Sequence, residues 1–349
     1  MAHDTLSSEE LMGLVDYTKT LPFFMLEQYF TRTFVSHADK VSFDEVFEDV
    51  WIAPYVSPMA HGDSVVHGGY KERDFQPAYI KLDDPITIAQ VSAREPGQPL
   101  NTPPNRLSQL QMAIVKRLAQ HRKSILTRLE WMAWQYALTG GYTVSGPKYP
   151  TKVLDFGRAA GNTAVLTGAN FWTAPATSTP LDDWEEWSKQ MLGAERGLAG
   201  THLFMRTGQW NNLRKCAQFL EEYARYKSNG GPIPNISPTT AGWVINRGSY
   251  GAFNIWTVDT WYKDETGAQQ YFLPTNKVIM AAAPGVNDCV KMFGKIESLK
   301  AVREGDPMID IWHNHYVTED GDSENIKTHS APLVAATHVD GFLSATVSA

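Results

Sequence analysis

Apolar residues recur three and four positions apart, without a break, from residue 105 to residue 139. Leu107, Leu110, Ile114, Leu118, Ile125, Leu129, Met132 and Tyr136 fall on one stripe, and His121 fills the gap in it. That spacing is the period of an α-helix with one buried face. Pro103-Pro104 precede the run and Gly140-Gly141 stop it, as proline does before a helix and glycine after one. At 1.5 Å per residue the helix is roughly 50 Å long. Beyond it, Tyr142–Val144 and Lys152–Phe156 flank a Ser145-Gly146-Pro147-Lys148 turn and predict a hairpin. The pattern then predicts helices over 180–196 and 209–226. Short apolar runs predict strands at 202–206, 253–262, 269–273, 277–283, 309–316, 330–336 and 342–347. Strands and helices mixed without strict βαβ alternation predict the α+β class.

The first hundred residues are patterned differently. Ser7-x-x-Glu10 is a capping box that opens a short helix with Leu11, Leu14 and Val15 on one face. Phe23, Phe24, Leu26, Tyr29, Phe30 and Phe34 follow with little regular period. Residues 51–100 are punctuated by turn formers, among them Pro54, Pro58, Gly68-Gly69, Pro77, Pro85 and Pro96-Gly97. Strand-like pieces at 75–82 and 86–91 make this stretch a two-stranded excursion with little core of its own. Segments that cannot bury enough apolar surface alone are ordered by neighbours.

Composition bounds the function. With 43% hydrophobic and 20% charged residues, the 349-residue chain is globular. Its net charge of −7 argues against a dedicated nucleic-acid binder. The charge is uneven, however. Residues 1–50 hold ten acidic and three basic residues, while the long helix carries Arg106, Lys116, Arg117, Arg122, Lys123 and Arg128 against Glu130 alone. An acidic arm docking on this basic face is therefore one expectation, and an acidic partner or DNA on the same face is another. Cys216 and Cys289 form neither a disulfide framework nor a zinc ribbon. Met1–Asp4 lack a signal-peptide pattern, and the longest apolar run, Val278–Val286, is too short to span a bilayer. The expectation is a soluble chain made in the cytoplasm, with no membrane association.

Catalytic motifs were sought in the residues. The chain has no GxxxxGK[ST], GxGxxG, HExxH or GxSxG. His313 and His315, two apart on a strand, share a face as metal ligands can, and Asp310, His329 and His338 could join them. The plainer reading is a partly exposed histidine pair at a strand end. Asp320-Gly321-Asp322-Ser323-Glu324 matches part of a calcium loop but lacks the distal glutamate, so it reads as an acidic turn. Trp184 and Trp187 read as core rather than as a ligand platform. No constellation joins a nucleophile, a base and an orienting group. The expectation is no enzyme, no metal and no cofactor. A metal-dependent enzyme using His313 and His315, or an aromatic-rich surface-binding module, stands as the alternative.

Four blocks, in order, resemble the major capsid proteins of lambda-type tailed bacteriophages. The first runs from Ala53-Pro54-Tyr55-Val56-Ser57-Pro58 through Gly68-Gly69 to Phe75-Gln76-Pro77-Ala78-Tyr79-Ile80-Lys81. The second is the long helix running into Leu138-Thr139-Gly140-Gly141-Tyr142-Thr143-Val144-Ser145-Gly146, with 153–158 after it. The third is Tyr271-Phe272-Leu273-Pro274 with Val278-Ile279-Met280, and the fourth Ser330-Ala331-Pro332-Leu333-Val334. The resemblance implies the tailed-phage capsid fold of the Hong Kong 97 type. It implies an N-terminal arm (1–50), an extended loop (51–101), a peripheral domain on a long spine helix (102–200 and 310–349) and an axial domain (201–309). It implies self-assembly as hexamers and pentamers into an icosahedral virion shell. That shell encloses double-stranded DNA without sequence-specific binding and assembles in the host cytoplasm on a separate scaffold protein. A portal is a further implied partner, and a decoration protein is left open. Expected intersubunit contacts are Phe23, Phe24, Tyr29, Phe30, Gly68, Gly69, Tyr79 and Lys81. Lys116, Arg117, Arg122 and Lys123 are expected to meet scaffold, DNA or the arm.

Overall fold

The apolar stripe folds as one continuous helix, Arg106–Thr139, in the computed structural model of the chain. The structure describes residues 23–38, 40–46, 70–92, 106–194, 197–228, 244–305, 307–318 and 323–349. In chain order they form the arm helix α1 (Phe24–Gln28), β1 (Arg32–Val35), β2 (Val41–Val46), β3 (Tyr70–Phe75), β4 (Ile80–Thr87), α2 (Ile88–Ser92) and the spine helix α3 (Arg106–Thr139). Then come β5 (Gly141–Gly146), β6 (Tyr149–Asp155), β7 (Thr163–Val165), α4 (Pro180–Gly193), β8 (His202–Met205), α5 (Thr207–Leu213) and α6 (Ala217–Ser228). The later elements are β9 (Val244–Tyr250), β10 (Phe253–Val258), β11 (Trp261–Lys263), β12 (Gln269–Tyr271), β13 (Lys277–Ala281) and β14 (Cys289–Phe293). The last are α7 (Leu299–Arg303), β15 (Trp312–Val317), β16 (Ser323–Ser330), β17 (Pro332–Ala336) and β18 (Phe342–Thr346).

A six-stranded sheet, ordered β7-β18-β13-β8-β10-β9, lies at the centre. Side chains alternate across a strand, and here both faces are covered. Phe204, Ile279, Ala281 and Phe342 pack toward α1 and α3. Leu203, Met205, Val278, Met280 and Leu343 pack toward α4, in a second core with Trp172, Trp184 and Trp187. Burial on both faces explains why 278–281 read as an unbroken apolar run. The Trp172 and Trp187 rings stack at 6.1 Å, so the tryptophans are core, as the sequence suggests.

Several elements differ from expectation for identifiable reasons. The helix expected over 209–226 is two helices, because Cys216 is buried against Ser178 and the Ala217 N–H is taken by the Pro175 carbonyl. The strand expected over 253–262 is interrupted at Asp259, whose carboxylate accepts from Arg206 and Thr207. The strand piece expected at 86–91 ends at Thr87 and turns helical. β16 was not legible in the apolar pattern. It is SENIKTHS, with one aliphatic residue, yet it is the middle strand of the sheet β15-β16-β4.

Pairing also crosses the expected regional boundaries. β7 and β18 share the central sheet with β8 and β13, and β14 pairs with β17 on one side and with arm strand β1 on the other. β2 and β3 form one antiparallel ribbon, Val41 opposite Phe75 and Val46 opposite Tyr70, so arm and loop are joined across residue 50. The capping-box helix near Ser7 and the glycines Gly68 and Gly69 lie outside the described residues.

The spine helix ends on Gly140, whose φ is +73° and whose N–H bonds the Tyr136 carbonyl at 2.8 Å. Arg158 covers the open end: its guanidinium donates to the carbonyls of Ala137 (2.9 Å) and Leu138 (2.8 Å). A Cβ at Gly140 would stand 2.5 Å from Cβ of Arg158. Gly140→Ala therefore combines an unfavourable φ with a clash. It should lower stability by about 1–3 kcal/mol, read as a lower urea midpoint with unchanged slope.

Candidate assembly surfaces

The described part of the arm opens on a helix, α1, that Phe23 cannot cap. The orphan donors that α1 leaves are satisfied from far along the chain. The Glu130 carboxylate accepts the N–H groups of Met25 and Leu26, one on each oxygen, at 3.0 Å, and the indole N–H of Trp134 at 2.8 Å. Phe24 packs on Phe204 and Trp256, Tyr29 on Phe342 and Phe30 on Tyr136. The Tyr29 hydroxyl donates to the Ala282 carbonyl. Burying one such side chain contributes roughly 1.5–3 kcal/mol. Phe24, Tyr29 and Phe30, expected as intersubunit contacts, are buried in this chain's own core. Phe23 packs against that core half-buried. The apolar arm had already suggested burial; which surface it met was not in the pattern.

The basic face of the spine helix is also partly used within the chain. Arg117 lies 3.8 Å from Asp84 and donates to Gln120. Arg128 bonds Glu265 at 2.7 Å and sits over the Trp131 ring. Arg122 is half-buried, whereas Lys116 and Lys123 are exposed. The described part of the arm thus meets this helix at Glu130, its single acid, through backbone donors. The expected attraction between an acidic arm and basic side chains is not how α1 is held.

Strand β4, at the base of the extended segment, is tied down by polar groups. His121 of the spine helix bonds Asp84 through Nε2 at 3.0 Å and Thr328 Oγ1 through Nδ1 at 2.8 Å. His313 Nδ1 meets the same hydroxyl at 2.9 Å. A hydroxyl has one proton, so Thr328 donates to one imidazole and accepts from the other. Burial, then the proximity of His121 and Arg122, holds the His313 pKa down at about 3. His315 is buried too and bonds Glu324. The histidine pair expected to be partly exposed is therefore internal; of the acidic stretch, Ser323 and Glu324 begin strand β16 and residues 320–322 lie outside the described residues. Among the described residues no group of three or more His, Cys, Asp or Glu could hold a metal. Tyr79, half-buried, bonds His329 Nδ1 at 2.5 Å and donates to the Glu297 carbonyl, while Lys81 is exposed.

Large apolar side chains face outward at Leu299 (82% exposed), Ile88 (68%), Leu107 (65%) and Met308 (56%). Leu107 heads the helical stripe, where periodicity placed it in the core. No sequence signal separates such a residue from a core leucine.

The depressed His313 makes stability pH-dependent. An unfolded histidine, with its ordinary pKa of 6.5, binds a proton that the folded one refuses down to about 3. The stabilisation is present above pH 6.5 and is lost as pH falls toward 3, amounting to about 2 kcal/mol lost by pH 5. Glu130, whose pKa burial pushes up to about 7, titrates in the same window with the opposite sign, so the loss is read as a difference: the urea stability of wild type relative to His313→Gln should fall by about 2 kcal/mol from pH 7 to pH 5.

The sequence profile of the family described as Phage major capsid protein E matches residues 7–347. The major capsid protein of Enterobacteria phage P21 is 25% identical over 343 residues, 97% of this chain and 97% of that protein. The major capsid protein of Escherichia phage lambda is 25% identical over 326 residues, 91% of this chain and 92% of that protein. In fold, the chain is similar to the crystal structure assigned to a prophage capsid protein of E. coli CFT073. The TM-score is 0.74 at 18% identity, covering 99% of this chain and 100% of that one. The mixed sheets, spine helix and arm are thus the α+β tailed-phage capsid fold, and the chain belongs to the phage major capsid protein E family.

Proposed function

We propose that copies of this chain associate as hexamers and pentamers and close into the icosahedral head shell of a tailed phage around double-stranded DNA. The observation that carries this is the family match over residues 7–347. The role is structural, without catalysis. The histidine-based enzyme reading loses its support, since His313 and His315 are engaged with Thr328 and Glu324 inside the fold. Assembly takes place in the host cytoplasm on a separate scaffold protein, with a portal as a further partner. The arm, extended loop, peripheral and axial regions keep their expected roles, with the arm's residues 24–30 serving as its anchor in the chain's own core. Exposed Lys81, Lys116 and Lys123 face a neighbouring subunit, scaffold or DNA.

The ribbon of β2 and β3 supports the reading. Each of its strands has the other as its ladder partner, and an isolated two-stranded ribbon is marginal in water. The outward Ile88, Leu299, Val302 and Met308 are apolar surface available for burial between copies. Co-expression with a scaffold protein should give closed shells by negative-stain microscopy. A chain that stays monomeric under all assembly conditions would refute the proposal. Leu299→Asp and Ile88→Asp should each cut shell yield at least several-fold. Because both sites are on the surface, subunit stability should move by no more than about 0.5 kcal/mol. Normal yield in both would remove these residues from the interface.

A further inference from the structure

We propose that Glu130 is a proton-linked latch for the arm: docking residues 24–30 into the core draws a proton onto Glu130, so the arm's hold on the spine helix tightens as pH falls below neutral. The latch lies within one chain and stands apart from the assembly proposal.

The geometry carries the inference. Glu130 is 3% exposed, and the partners of its carboxylate are three neutral N–H donors, from Met25, Leu26 and Trp134. The charged group that bears on it is another acid, Glu27, on the exposed side of α1 itself. Lys291 of β14 in turn lies within the field of Glu27. A carboxylate taken out of water beside a like charge favours its neutral form. The three donors pull the other way and only partly offset burial, leaving the Glu130 pKa pushed up to about 7. The two groups that create this environment, the N–H pair and Glu27, both belong to the arm. When the arm leaves, so do Glu27 and the apolar cover supplied by Phe24, Met25 and Leu26, and Glu130 returns toward the ordinary carboxylate value of 4.5.

The sign follows from linkage. The docked state binds the proton more tightly than the released state. Docking is therefore strongest below about pH 4.5, weakens as pH rises from there to about 7, and is flat above. Between pH 6 and pH 8 the docking equilibrium should weaken about tenfold, the change expected for a shift of that size.

Amide hydrogen exchange on the full-length chain reads this directly. After correction for the intrinsic rate, protection of the Met25 and Leu26 amides should be about tenfold lower at pH 8 than at pH 6. Amides of α4, which packs in the second core away from the arm, should not follow that change. Glu130→Gln keeps the shape and cannot titrate; its amide NH2 turns a donor toward one of these N–H groups and lowers protection overall, but that protection should be the same at both values. A wild-type protection factor that does not change with pH, or a Glu130→Gln variant that changes as much as wild type, overturns the proposal. Should Glu130→Gln fail to fold, Glu27→Gln decides, since that position is on the surface. Removing its charge should lower the Glu130 pKa and shrink the pH 6 to pH 8 difference, and an undiminished difference overturns the latch.

Discussion

Most of the last third of the spine helix is buried, and the rest of the structure is arranged around that burial. Leu129, Met132, Ala133, Trp134, Tyr136, Ala137 and Leu138 are all inside. The central sheet covers the helix from one direction, the arm from another, and β17 supplies part of the remainder. A helix so enclosed must find partners for each polar group it takes inside. The Tyr136 hydroxyl accepts from the Ala336 N–H, the terminal carbonyls are covered by Arg158, and Glu130 receives the arm. The arm is therefore part of the core, and deleting it would expose a carboxylate and a set of aromatic rings together.

At its other end the same helix behaves differently. Near Leu107 and Met112 it presents apolar side chains outward, and between them and Ile125 it is fastened to β4 and β16 through His121, Asp84 and Thr328. One rod thus joins a tightly packed centre to a more polar attachment under the extended segment. Apolar packing loses energy steeply when geometry shifts, because close-packed interiors do not deform smoothly. A short chain of directional hydrogen bonds can instead break and re-form as a unit.

The histidines show how context reverses a sequence-based suggestion. Spacing alone makes His313 and His315 plausible ligands. In the fold, Thr328 and Glu324 reach them across the ladder from β16, a strand whose polar sequence gave no hint that it would lie between two others. The contact between α1 and Glu130 is equally remote, joining positions about a hundred residues apart. Charge counting pointed to attraction between an acidic arm and a basic helix. In the described part of the arm, backbone donors, which every residue carries and no composition records, meet the helix's single acid.

By itself the sequence determined the spine helix and its stop at Gly140, the β5–β6 hairpin, the helix at α4, most strands of the central sheet, the α+β class and the family resemblance. Those features rest on local periodicity, turn chemistry and ordered motifs, all of which are carried by neighbouring residues. Tertiary structure alone decided that 24–30 enter the chain's own core, that β2 pairs with β3, that β16 becomes a central strand, and that Leu107 faces outward. Each of these depends on which distant surface covers a segment. A hydrophobic residue states that it will be buried if it can be; the fold decides by what, and whether anything arrives to bury it.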